Sequence, residues 1–149
     1  MGVTNNMKLG IFGSRTLSGK RIKDIIRAEY EKYRPEYIVT SGGIRGVCTE
    51  VEIFCKRNGN PVKLYYANRA RDGRGMYDIR SKTIIRESDH IVLIHDGNSR
   101  GTKHELELVK KLEKPFTYHL VKIIPTLEPD SLGVLSVIEV EEALIGQGD

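Results

Sequence analysis

The stretch that most constrains this chain runs from Ser88 to Glu105, S-D-H-I-V-L-I-H-D-G-N-S-R-G-T-K-H-E. Ile91 to Ile94 is an unbroken apolar run, the pattern of a strand covered on both faces, and such strands belong to parallel sheets flanked by helices. Open parallel sheets hold their ligands at the carboxyl edge of the strands. That edge receives Asp96, Gly97, Asn98, Ser99, Arg100, Gly101 and Thr102. Thr102 is expected to cap a helix whose first turn points free backbone N–H groups outward, an arrangement that suits a phosphate.

The same strand, glycine turn and helix recur on the amino-terminal side. Lys8 to Phe12 reads as a strand that ends in Gly13-Ser14-Arg15-Thr16. A helix is predicted from Ser18 to Arg34, with Ile22, Ile25, Ile26, Tyr30 and Tyr33 on one stripe and Pro35 as its stop. Tyr37 to Thr40 is a second strand, followed by Ser41-Gly42-Gly43-Ile44-Arg45-Gly46 and a helix through Asn58 closed by Gly59. Pro61 to Tyr66 gives a third strand. Ala67 to Gly75 reads as an irregular loop, with Arg69, Arg71 and Arg74 against Asp72 alone, placed to fold over a ligand. Helices follow over Met76 to Ser88 and Thr102 to Leu112, then a fifth strand near Phe116 to Val121.

The alternation predicts an α/β protein with a Rossmann-like, three-layer, doubly wound parallel sheet of five main strands in the order 3-2-1-4-5. Reversal of winding between strands one and four opens a crevice, where the loops of strands one, two and four are expected to meet. The domain is assigned to residues 7–124, with 1–6 as a flexible extension and 125–149 as a carboxyl-terminal extension in which Val134 to Ile145 is expected to form a short helix.

Composition narrows the function. A chain of 149 residues with 39% hydrophobic content can bury one core of ordinary size. No apolar run approaches the roughly 20 residues of a membrane span, and Met1 to Asn6 lacks the features of a signal peptide, so a cytoplasmic location is expected. Cys48 and Cys55 are seven apart and read as buried free thiols. The histidines His90, His95, His104 and His119 show no ligand spacing, and neither metal nor cofactor is called for. A net charge of +4 is modest for a nucleic-acid binder and compatible with small anionic ligands. A homodimer is expected, covering the Tyr30 and Tyr33 end of the first helix and the apolar segment Val134 to Ile145.

Taken in order, Gly13-Ser14-Arg15, Ser41-Gly42-Gly43-Ile44-Arg45-Gly46, Arg80 and Asp96-Gly97-x-Ser99-x-Gly101-Thr102 resemble the SLOG superfamily of Rossmann-like nucleotide-binding proteins over residues 7–121. The small single-domain branch named after YspA and YpsA carries the nearest pattern. In the second half, Arg80, Ser88-Asp89 and Gly101-Thr102-x-x-Glu105 are similar to the Lonely Guy phosphoribohydrolases. That resemblance implies that Arg80 and Glu105 carry hydrolysis of the N-glycosidic bond of a nucleoside 5′-monophosphate, and that Gly101 and Thr102 hold its phosphate. The chain departs from these patterns at Ser81, where the enzymes have lysine, and at Cys48, where the YspA-type pattern has aspartate. It also has no tryptophan, which leaves Tyr65, Tyr66 or Tyr77 as stacking partners for a base.

Three functions follow as expectations. The first is a binder of a nucleotide-derived small molecule, acting as sensor or processing protein, with Gly13, Ser14, Arg15, Ser41, Gly42, Gly43, Arg45, Gly46, Asp96, Gly97, Ser99, Arg100, Gly101 and Thr102 as ligand-binding residues. The second is the phosphoribohydrolase, with Arg80 and Glu105 catalytic. The third, ranked last, is DNA binding of the Smf type, because the loops carry neither a Lys/Arg run nor an aromatic series. Glu105 also stands three residues after Thr102, the spacing of a capping box, which would give it a purely structural role.

Overall fold

The computed structural model describes residues 6–43, 45–125 and 135–145. Strands and helices alternate: β1 (Lys8–Gly13), α1 (Lys20–Tyr33), β2 (Tyr37–Ser41), α2 (Val47–Asn58), β3 (Val62–Tyr65), the single turn α3 (Arg69–Asp72), α4 (Met76–Glu87), β4 (His90–His95), α5 (Arg100–Lys111) and β5 (Phe116–Pro125). The five strands are all parallel and lie in the order β3-β2-β1-β4-β5, a Rossmann-like α/β sheet. Winding reverses between β1 and β4, so the connections that follow these two strands leave their carboxyl ends in opposite directions, to β2 and to β5, and the crevice opens there. Among the described residues no helix is long and apolar enough to cross a membrane.

The sheet is covered on both faces because its strands carry apolar side chains on both. Leu9, Ile11, Val92 and Ile94 pack against Ile22, Ile25 and Ile26 of α1 and Val47, Val51 and Phe54 of α2. Phe12, Val39, Ile91 and Leu93 pack on the other side against Ile84 and Ile85 of α4 and Leu108 and Val109 of α5. Every residue of β4 is buried, as its unbroken apolar run requires. Tyr30 meets Phe54 edge-on at 5.7 Å and Tyr33 stacks on His90 at 4.7 Å, so both tyrosines are partly covered within the chain itself.

Two expectations are corrected. The short helix expected over Val134 to Ile145 is a strand where it is described: β6 (Leu135–Ile145) pairs antiparallel with β5 along the edge of the sheet, with a register shift at Leu120/Val121. Glu, Ala and Leu favour a helix in isolation, but β5 would otherwise leave a long unpaired edge, and pairing along it overrides a weak propensity. The segment 69–75, expected to be irregular, forms α3 and a 3-10 turn (Gly73–Gly75), because the Asn68 side chain accepts the Arg71 N–H and starts a helical turn. Apart from Asn6 the expected amino-terminal extension lies outside the described residues, as do 126–134 and 146–149 of the carboxyl-terminal one.

Candidate functional site

Ser14, immediately after β1, ties the carboxyl edge together. Its side chain is buried and bonds Thr102 Oγ1 of α5 at 3.3 Å, and it accepts the Asp96 N–H at 3.1 Å. Its backbone N–H donates to the Ile94 carbonyl, and its carbonyl accepts the N–H of Val47 at the start of α2. One residue therefore sets the spacing of β1, β4, α2 and α5.

The β4–α5 loop is shaped by Asp96. Its carboxylate accepts the backbone N–H groups of Asn98 and Ser99, both at 2.7 Å, together with the hydroxyls of Thr16 at 2.5 Å and Ser99 at 2.8 Å. Burial pushes this carboxyl up, but those four donors outweigh it and hold it well below the usual carboxylate range. His95 adds a second brace, since its Nε2 donates to the Ser99 carbonyl at 3.1 Å while Nδ1 bonds the Tyr118 hydroxyl at 2.8 Å. Helix α5 consequently begins at Arg100 with Ser99 at its cap position, which corrects the expectation that Thr102 caps it. Thr102 lies in the first turn, and Glu105 is too far into the helix to close a capping box.

These braces leave an open pocket of about 560 Å³ at the carboxyl ends of β1, β2 and β4, within the range that takes small-molecule ligands. From the expected set, Gly13, Arg15, Ser41, Gly42, Gly43, Arg45, Arg80, Ser99, Arg100, Gly101, Thr102 and Glu105 line it. Ser14, Gly46, Asp96 and Gly97 do not; Ser14 and Gly46 are buried, Asp96 braces the β4–α5 loop, and Gly97 is exposed in that loop. Cys48, Tyr77, Ser81 and His104 line it as well. Cys48 sits in the first turn of α2 and accepts a hydrogen bond from the Ser41 hydroxyl at 3.1 Å. It is half-buried, so the expectation of a buried thiol holds for Cys55 alone, whose thiol burial pushes up to about 12. His104 pairs with Asp78 at 2.9 Å. Heptad spacing signalled that Cys48 and Cys55 share a face of α2, and the short step from Gly46 to Cys48 is the signal that places Cys48 at the mouth of the loop.

The charge of the pocket is one-sided. Arg15, Arg45, Arg80 and Arg100 reach it, and among the described residues none of the four forms an ion pair with a carboxylate. Arg80 lies over the Tyr77 ring, 5.3 Å from its centre, and its Nε is buried without a hydrogen-bond partner. Glu105 is the one carboxyl in the lining and is 9% exposed. Burial pushes it up to about 8, against the opposing pull of Arg80 and Arg15, so it is mostly protonated at neutral pH. Among the described residues there is no group of three or more His, Cys, Asp or Glu side chains placed to hold a metal ion.

The fold and this pocket define a Rossmann-like parallel α/β protein with an arginine-lined cleft at the winding switch. The chain matches no protein-family model and no curated protein.

Proposed function

We propose that this pocket binds a nucleotide or nucleotide-derived small molecule, as the ligand site of a sensor or processing protein of the SLOG type. The observation that carries the reading is the meeting of the Gly42-Gly43 loop and the first turn of α5 at Gly101-Thr102 with four arginines that form no ion pair among the described residues, in one cleft of nucleotide size. The N-terminus of α5 adds oriented N–H groups whose dipole is worth only about 0.3–1 kcal/mol to an anion, so the arginines supply most of the attraction through charge-assisted bonds. Tyr77, half-exposed beside Arg80, offers a face for a base. Nucleic acid is a poorer occupant, because the cleft is a bounded pocket and not a track along the surface. A cytoplasmic homodimer remains part of the proposal; light scattering at micromolar concentration tests the dimer.

Glu105 favours a second reading, that of a hydrolase of the N-glycosidic bond of nucleoside 5′-monophosphates. A glutamic acid that is protonated at neutral pH and faces a cleft beside an arginine has the properties of a general acid. It would donate its proton to the departing base, while water adds hydroxide to the ribose carbon and returns a proton to the carboxylate. The test measures nucleotide binding by calorimetry and free base by chromatography in the same samples. If the protein is a hydrolase, Glu105→Gln lowers base release by about 10²-fold or more with binding nearly unchanged, and the wild-type rate declines above about pH 8 as the acid is lost. Binding without any base release keeps the first reading and ends the second.

A further inference from the structure

Resting on the nucleotide-binding reading, we propose that the ligand carries two linked phosphoryl groups, one held by Arg100, Arg15 and the Gly101-Thr102 turn and the other by Arg45 and the Gly42-Gly43 loop. The two half-sites belong to different elements, the N-terminus of α5 and the β2–α2 loop, and both open into the same pocket. A single phosphoryl group carries at most two negative charges near neutral pH, and one cradle satisfies it. The lining presents four guanidinium groups. A ligand with only one phosphate would leave guanidinium groups of the lining unmatched, whereas a diphosphate brings charge to both half-sites.

The surroundings do not neutralise this excess. The nearby carboxylates are engaged elsewhere: Asp78 with Lys82 at 2.8 Å and His104 at 2.9 Å, Asp72 with Arg71 at 2.8 Å, and Asp96 with the donors of its own loop. Glu105 lines the pocket, is more than nine-tenths buried, and among the described residues has no hydrogen-bond partner. Protonated, it adds a donor and no negative charge to oppose an anion. The buried, unpartnered Arg80 Nε is a second polar group with no partner inside the protein. Backbone approach is unobstructed at both half-sites, because a Cβ built on Gly43 or Gly101 meets no heavy atom within 4 Å.

Calorimetric titration of wild type and Arg45→Ala with AMP, ADP, ADP-ribose and inorganic pyrophosphate tests this. Arg45 is exposed and among the described residues forms no hydrogen bond or ion pair, so the variant keeps its fold, and a melting curve verifies that. The expected result is at least about tenfold tighter binding of ADP or ADP-ribose than of AMP, with measurable binding of pyrophosphate alone. Arg45→Ala should weaken the diphosphates by about tenfold and leave AMP within about twofold, because AMP uses the α5 half-site. Equal affinity for AMP and ADP, or equal weakening of both by Arg45→Ala, overturns the two-phosphoryl proposal while leaving nucleotide binding intact. If none of these compounds binds, the underlying reading falls together with it.

Discussion

Glu105→Gln should stabilise the protein progressively as pH is raised, by about 3–5 kcal/mol between pH 4 and pH 9, with little difference from wild type at the acid end. The sign follows from where the proton sits. An unfolded glutamate ionises near its ordinary value of 4.5, whereas the folded one holds its proton to about 8 because burial opposes the charge. The folded state therefore binds more protons than the unfolded state across that window. Stability referable to Glu105 is complete below 4.5 and is lost as pH rises through 8. Glutamine has the same shape and no proton to lose, so it escapes the penalty. Denaturant unfolding of both proteins across the pH range measures the effect, and a carbon chemical-shift titration of the Glu105 carboxyl measures its cause. A difference that does not vary with pH would show that Arg15 and Arg80 keep the group ionised.

The second large effect separates glycines that hold the fold from glycines that face the pocket. Gly13→Val should cost about 3 kcal/mol or more, because even a Cβ at Gly13 would overlap the buried side chain of Val47. Relief would require α2 to retreat from β1 and stretch the bond from the Val47 N–H to the Ser14 carbonyl, 3.2 Å long. Gly46→Ala should cost a similar amount, since Gly46 has φ of +90° and its Cβ would press on the backbone of Arg15. Gly101→Ala meets open space within α5 and should be neutral or slightly stabilising while obstructing ligand approach to the backbone. Thermal melts of the three variants beside nucleotide titration of the last decide this. Equal destabilisation by all three would remove the distinction.

These two results bear on how much of the molecule the sequence disclosed. The five-strand order followed from Ile91–Ile94 and from two further strand–glycine–helix units, because an apolar run with no alternation has few homes other than the centre of a parallel sheet. The pocket's rim was legible for the same reason, since glycine loops at strand ends must meet where the winding reverses. What escaped were features that depend on competition between neighbours. Ser99 and Thr102 are both acceptable caps in a sequence, and only the donors converging on Asp96 decide that the helix starts at Arg100. Asp96 was expected among the ligand groups, and only the structure shows that its carboxylate accepts bonds from Thr16, Asn98 and Ser99. Glu105 read as a catalytic group or a capping-box partner, but its burial and the raised pKa that follows belong to tertiary packing and could not be read from the sequence. The carboxyl-terminal strand was missed because an open sheet edge is invisible in a local window.

Backbone amide shifts recorded by NMR during titration with ADP-ribose, ADP and AMP test the central claim most directly. The account predicts saturable shifts concentrated at Gly43, Arg45, Cys48, Arg100, Gly101 and Thr102, the rim of one pocket. Shifts confined to other faces, such as the smaller cleft beside Glu29, Lys32 and His119, or no shift with any nucleotide at millimolar concentration, would contradict it.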